Sequence, residues 1–228
     1  MPSTGGDILV DIRSTRKDLC FELGRQFYQL ISPECIEKLD DTFGFAYMSS
    51  KKTGLAKDFI GFEDGNDNPE GYTERAAAAL IGEQDDELIH VGGSYALTQK
   101  WFHNLTKWNE LSQIHQELVI GRSKGDESIE TKPRTDISHV GRVHLEEEDG
   151  TEIEVVRKSL PHGDVSKGGL FYIGFASNTQ KHERQLNSMV GNENGVYDRL
   201  MDYSTPHTGN YWYICSKSVY ERLFSSKN

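Results

Sequence analysis

Three short stretches of this 228-residue chain combine residue types that could do chemistry. The first is Gly61-Phe62-Glu63-Asp64-Gly65. Its two glycines allow a tight loop close to a ligand, and an acid inside such a loop can exchange protons across a cavity. Taken alone, a solvated turn is the plainer reading. Asp64, Asn66 and Asn68 alternate as in a calcium loop, but Pro69 stands where that pattern needs Gly and Arg75 where it needs Glu, which excludes an EF-hand. The second stretch is Asp136-Ile137-Ser138-His139-Val140-Gly141-Arg142-Val143. A neutral imidazole is a good ligand for haem iron, above all when its other ring nitrogen donates a hydrogen bond. His139 is one of eight histidines, and position alone does not select it. The third is Val155-Val156-Arg157-Lys158-Ser159. An Arg closing a β segment beside a cavity can stabilise developing negative charge, although most such residues are surface ion-pair partners.

The elements that must position these residues are legible from periodicity. Leu19, Leu23, Phe27 and Leu30 recur at three- and four-residue steps and predict a helix from about Lys17 to Ile31, with Pro33 at its exit. Asp7–Ile12 alternates as a strand does, and Thr42–Tyr47 reads as another. Further on, Ser94–Phe102 predicts a strand, Asn104–Asn109 a short helix, and Ser112 caps a helix through Val119 that ends at Gly121. Val140–Leu145 and Glu152–Arg157 read as β segments around a turn at Glu148-Asp149-Gly150. Gly169–Ala176 is a buried strand, Gln180–Met189 a helix, and Tyr211–Ile214 the last strand. Alternating strands and helices with long loops imply α+β layers. The boundary between subdomains falls near the Asp64 loop, giving 1–58 and 59–228.

Composition narrows the function. A net charge of -11 and a pI near 5.2 argue against a nucleic-acid partner, since phosphate binding needs clustered Lys and Arg. No apolar run reaches the roughly 20 residues of a membrane span. The N-terminus carries no basic and apolar signal pattern, and Cys20, Cys35 and Cys215 are odd in number and widely spaced. A reducing, cytoplasmic setting without disulfides or a zinc site is expected.

Taken together in order, these stretches resemble the dye-decolorizing peroxidase family from about Asp7 to the C-terminus. Gly61–Gly65 resembles its G-x-x-D-G loop, continued by Asn68-Pro69. Gly93-Ser94-Tyr95 through Gln99, His103-Asn104-Leu105, Lys107-Trp108 and Ile120-Gly121-Arg122 resemble its bacterial branch. Ser138-His139 with Arg142-Val143 resembles the segment that carries the proximal ligand, and Arg157 before Lys158-Ser159 the distal arginine. Some members have Asn where this chain has Ser159.

The resemblance implies ferredoxin-like antiparallel sheets with peripheral helices, and haem b in the C-terminal half. His139 would hold the iron, with Gly65, Arg142 and Ser159 also around the haem. On the opposite face Asp64 would move the proton of hydrogen peroxide and Arg157 would steady the charge, after which an organic electron donor is oxidised. Arg142 could pair with a haem propionate or support the proximal loop. Glu152 or Glu154, which share a strand face, could accept the His139 N–H. Tyr95, Trp101 and Trp108 could pass electrons, although core packing is the better reading. Before the G-x-x-D-G loop the resemblance covers only about the second half of the family's first ferredoxin-like unit. A strand at Ile8–Ile12 would then lack its usual neighbours, so a homo-oligomer is expected. The competing reading is a non-catalytic haem carrier or scaffold remnant, which would not need the Asp64–Arg157 pair.

Overall fold

A computed structural model describes residues 1–125, 128–131 and 134–224. They form two compact units, one of Gly6–Phe43 and one of Met1–Gly5 with Gly44–Asn228. In the smaller unit the predicted helix is present as α1 (Lys17–Leu30), followed by a 3-10 turn at Pro33–Cys35. Phe21 and Phe43 stack with their ring centres 6.4 Å apart. Asp7–Ile12 is not a strand. Alternation supplies an apolar face, but a strand exists only as a hydrogen-bonded ladder, and no partner strand pairs with this segment among the described residues. The expected association rested on that strand.

The larger unit runs α2 (Gly71–Ala79), β1 (Ser94–His103), α3 (Leu105–Asn109), α4 (Gln113–Ile120), α5 (His139–Val143), β2 (Val156–Arg157), β3 (Leu160–Gly163), β4 (Gly168–Ala176), α6 (Thr179–Val190), β5 (Ser204–Pro206), β6 (Asn210–Ile214) and α7 (Lys217–Phe224). The pairing is antiparallel throughout. β1 pairs with β4 from Tyr95↔Ala176 to Lys100↔Phe171, and β5 and β6 share its other side. β2 and β3 lie along the far side of β4. This is the α+β arrangement expected, with helices around an antiparallel sheet.

Local signals explain most of the elements. The Ser112 hydroxyl accepts the His115 amide at 3.4 Å and Gly121, at φ 89°, closes α4 in the left-handed region. Asn178 caps α6 in the same way, accepting from Lys181, and Gly191 ends it. Ala76–Ala79 belongs to α2, a helix that apolar periodicity does not reveal because alanines mark no face.

Val140–Leu145 is not β structure. Ser138 stands at the N-cap of α5 and accepts the Gly141 amide at 3.1 Å, so a helical turn satisfies the backbone where β-branched valines suggested a strand. Gly141 is required there, since a Cβ would collide with the Thr135 carbonyl. Thr42–Tyr47 contributes only one bridge, Gly44↔His162. Of Glu152–Arg157 only Val156–Arg157 joins the sheet, where it edges β4.

Two clusters hold the site. Ile60, Phe62, Trp108 and Ile120 form one, and Trp101, Val143 and Met189 form the other. Trp108 is 1% exposed and donates its indole N–H to the Ile60 carbonyl at 3.0 Å. Truncating such a residue typically costs about 3–5 kcal/mol. Trp108 is therefore a core residue that also pins the loop preceding Asp64.

Candidate active site

The Asp64 loop is a compact hairpin whose shape follows from its sequence. Gly61 donates to the Asp58 carbonyl at 2.8 Å, Asp58 to the Phe62 carbonyl at 2.8 Å, and Asp64 to the Ala56 carbonyl at 3.0 Å. Ile60 and Phe62 point into the core at a period of two, which anchors the loop and leaves Asp64 at its end. Arg157 sits on β2 at the sheet edge, and its backbone is bonded to the Asn68 carboxamide. His139 opens α5.

These three elements bring Asp64, His139 and Arg157 to the wall of one cavity, which holds about 800 Å³ between atoms when the part open to solvent is counted. Leu97, Val143, Leu170, Leu186, Met189 and Met201 make much of the wall apolar. Gly65, Arg142 and Ser159 are not among the lining residues. Arg142 is buried and donates from Nε to the Ser188 carbonyl at 2.9 Å, tying α5 to α6. The Ser159 hydroxyl is buried without a partner among the described residues. Trp101 lines the cavity, Trp108 is core, and the Tyr95 hydroxyl donates to Asp86.

His139 and Asp198 form the best-defined pair. His139 Nδ1 is 2.7 Å from Asp198 Oδ2, and Asp198 is fully buried. The other Asp198 oxygen accepts the Leu200 amide at 2.9 Å, so the carboxylate is fixed before it meets the imidazole. An acceptor-only carboxylate at Nδ1 selects the tautomer with its proton there and leaves the Nε2 lone pair free for a metal. Neither Glu152 nor Glu154 takes this role. Glu152 lies 3.0 Å from His144 Nδ1, and both line a separate, smaller pocket. Asp198 carries only the signal of an acid before a short turn, the mark of a cap, and so was not a candidate from sequence.

Asp64 and Arg157 make a polar stretch of the cavity wall. Asp64 keeps some accessible surface, which opens into the cavity, while protein surrounds it otherwise. Burial pushes its carboxyl above the ordinary value, the Arg157 charge opposes that, and Asp58 adds to it. The Gly65 amide and His139 pull in the same direction as Arg157. A carboxyl raised in this way is better matched to proton transfer near neutrality. Arg157 Nε is buried with no hydrogen-bond partner among the described residues, an orphaned donor on the cavity wall. Burial also raises Tyr172 to about 12 and lowers His182 to about 4, so both cavity groups are neutral at working pH. His103 bridges Ser204 at 2.8 Å and Asp58 at 3.0 Å along the same wall.

A histidine held by a buried acid thus lines one cavity with Asp64 and Arg157. A family model described as "Dyp-type peroxidase, C-terminal" matches residues 55–219. The chain belongs to that family. Dye-decolorizing peroxidases from Brevibacterium linens and Rhodococcus erythropolis are 34% and 35% identical over 95% and 91% of this chain. The chain spans 57% and 59% of their lengths. Among solved structures, DyPB from Rhodococcus jostii RHA1 matches with a TM-score of 0.88 at 37% identity, over 96% of this chain and 69% of that one. A dye-decolorizing protein from V. cholerae matches with a TM-score of 0.82 at 37% identity, over 91% of this chain and 66% of its own. Variants of the R. jostii protein are solved in complex with heme and with manganese. The Dyp-type family match covers all three cavity groups, Asp64, His139 and Arg157.

Proposed function

We propose that this chain acts as a haem peroxidase, reducing hydrogen peroxide while an organic donor is oxidised, with haem b held through His139. The observation that carries this reading is that Asp64, Arg157 and an Asp198-bonded His139 line one cavity. The donor set fits the group. A neutral imidazole with a free Nε2 suits iron, the aliphatic wall suits a macrocycle, and the unpaired Arg157 Nε awaits an anionic or peroxidic partner. Haem, when bound, supplies the iron that takes up peroxide and relays electrons from the donor. The side chains do the rest. Asp198 holds the His139 proton and makes the ligand more electron-donating. Asp64 accepts a proton from peroxide and returns it to the departing oxygen, which leaves as water. Arg157 stabilises the negative charge that grows on that oxygen in a site shielded from bulk water. Two electrons and two protons then balance the reduction of one peroxide to two waters.

Haem carriage alone would require neither Asp64 nor Arg157. Asp64, His139, Arg157 and Asp198 all fall within 59–228, which supports a haem domain there, with Asp58 of the cavity wall immediately before it. The three cysteines are free, which supports a reducing, cytoplasmic setting. No described helix is long and apolar enough to cross a membrane. The outer edge of β6 pairs with no other strand among the described residues, which supports a homo-oligomer. The deciding experiment is a visible spectrum of purified protein before and after haem and then peroxide. A haem band that changes with peroxide and returns on adding a donor is expected. Haem binding with no response to peroxide would overturn the enzyme reading.

A further inference from the structure

The segment that carries Asp64 also holds Arg157. The Asn68 carboxamide oxygen accepts the Arg157 amide at 2.7 Å, and its nitrogen donates to the Arg157 carbonyl at 3.0 Å. The two residues are 89 positions apart. β2 is an edge strand, and the amide of the next residue, Lys158, is spent on Ile173 of β4. The alternation of a strand therefore turns the Arg157 backbone outward, where no strand lies beside it among the described residues. One side chain supplies both hydrogen bonds that a neighbouring strand would have made.

Three features of the segment prepare this contact. Pro69 restricts the backbone of Asn68 to extended conformations. Gly65 has φ 92°, and a Cβ there would come within 3.2 Å of the Asn68 Nδ2, pressing on the clamp. Asp67 reaches the other end of Arg157, with Oδ2 3.7 Å from Nη2, while also pairing with Arg122 and His144. Burial works to raise the Asp67 carboxyl, but the His144 bond and the charges of Arg122 and Arg157 outweigh it and hold it at about 2. It is thus an anion at any working pH.

We propose that Asn68 is a positioning residue that acts through Arg157, fixing the distance between the acid and the guanidinium because both hang from one short segment. The proposal rests on the peroxidase reading. Sheet packing alone would leave Arg157 on a two-residue edge strand with an unsatisfied backbone. Misplacement of a catalytic group by about 1 Å can cost on the order of 10²-fold in rate.

The test is a double-mutant cycle on the haem-loaded full chain, with rates read from the haem spectrum on mixing with peroxide. Asn68→Ala should slow the change by about tenfold to a hundredfold, and by less than about twofold once Arg157→Leu is present. Asn68→Asp, which keeps the acceptor and loses the donor, covers the case in which the alanine variant does not fold, and should show the same dependence on Arg157. Hydrogen exchange at the Arg157 amide, measured with and without haem, should speed up in Asn68→Ala. Equal slowing in both backgrounds, or unchanged exchange, overturns the proposal. If Arg157→Leu slows the reaction and Asn68→Ala does not, the clamp fails while the peroxidase reading stands. If Arg157→Leu is itself without effect, Arg157 has no part in the step and the proposal fails, whereas a haem band that does not respond to peroxide at all overturns the peroxidase reading.

Discussion

His139 Nδ1 lies 2.7 Å from Asp198 Oδ2, across 59 residues of chain. The acid is fully buried and bonded at its other oxygen, so the imidazole has one orientation available and one tautomer favoured. His139→Ala is expected to lose most bound haem. Asp198→Asn should retain more haem than that variant, with an altered ferric spectrum and a higher reduction potential, because a neutral amide no longer makes the ligand electron-rich. Full haem retention with an unchanged spectrum in His139→Ala would remove the axial assignment.

Arg157 and Asp64 share the cavity but not a task. Arg157→Leu is expected to slow the first peroxide step by about 10²–10³, on the order of 2.7–4 kcal/mol, as loss of a preorganised charge-stabilising donor commonly does. Asp64→Asn should slow it comparably or less, since general acid–base work is typically worth about 10²–10⁴. Haem content should stay near wild type in both. Stopped-flow mixing with peroxide measures this, and wild-type rates in both variants would remove the distal assignment.

The pH profile carries a separate prediction. Burial raises the Asp64 carboxyl above its usual 3.8, against the opposing charge of Arg157 and with the help of Asp58. The base must be ionised to take the peroxide proton, so the rate should rise with pH through a limb displaced above the ordinary carboxylate range. Arg157→Leu removes the opposing charge and should move the limb higher still. Asp64→Asn should abolish it. A limb in the wild type at the ordinary carboxylate value would contradict the buried setting of Asp64.

Asp67, whose carboxyl is shifted downward rather than upward, predicts a pH effect on stability. Its folded pKa of about 2 lies below the ordinary 3.8, so its ion pairs contribute stability above about pH 4, lost as pH falls toward 2. Urea midpoints at pH 5 and pH 3 should therefore differ more for wild type than for Asp67→Asn. Equal differences would show that Asp67 adds nothing to folding.

Much of this protein was legible in the residues alone. α1, α4 and α6 are written in apolar spacing and in caps such as Ser112 and Gly121, and β1 and β4 in short apolar runs. Each of those signals is satisfied within a few residues, so no knowledge of the chain path is needed. Asp64, His139 and Arg157 each had a plainer reading alone, and only the resemblance of their stretches taken together, in order, singled them out. Where local signals conflicted, reading failed. Val140 and Val143 favoured a strand, and only the capped turn at Ser138 made them helical. The alternation of Asp7–Ile12 needed a partner strand that the described chain does not place beside it. What joins residues far apart was decided by tertiary structure. Nothing near His139 indicates Asp198 rather than Glu152, and nothing near Arg157 indicates Asn68, because each pair forms only when the sheet brings distant segments within hydrogen-bond reach. Hydrogen bonds act over about 3 Å, so sequence can name the groups while the path of the backbone chooses their partners.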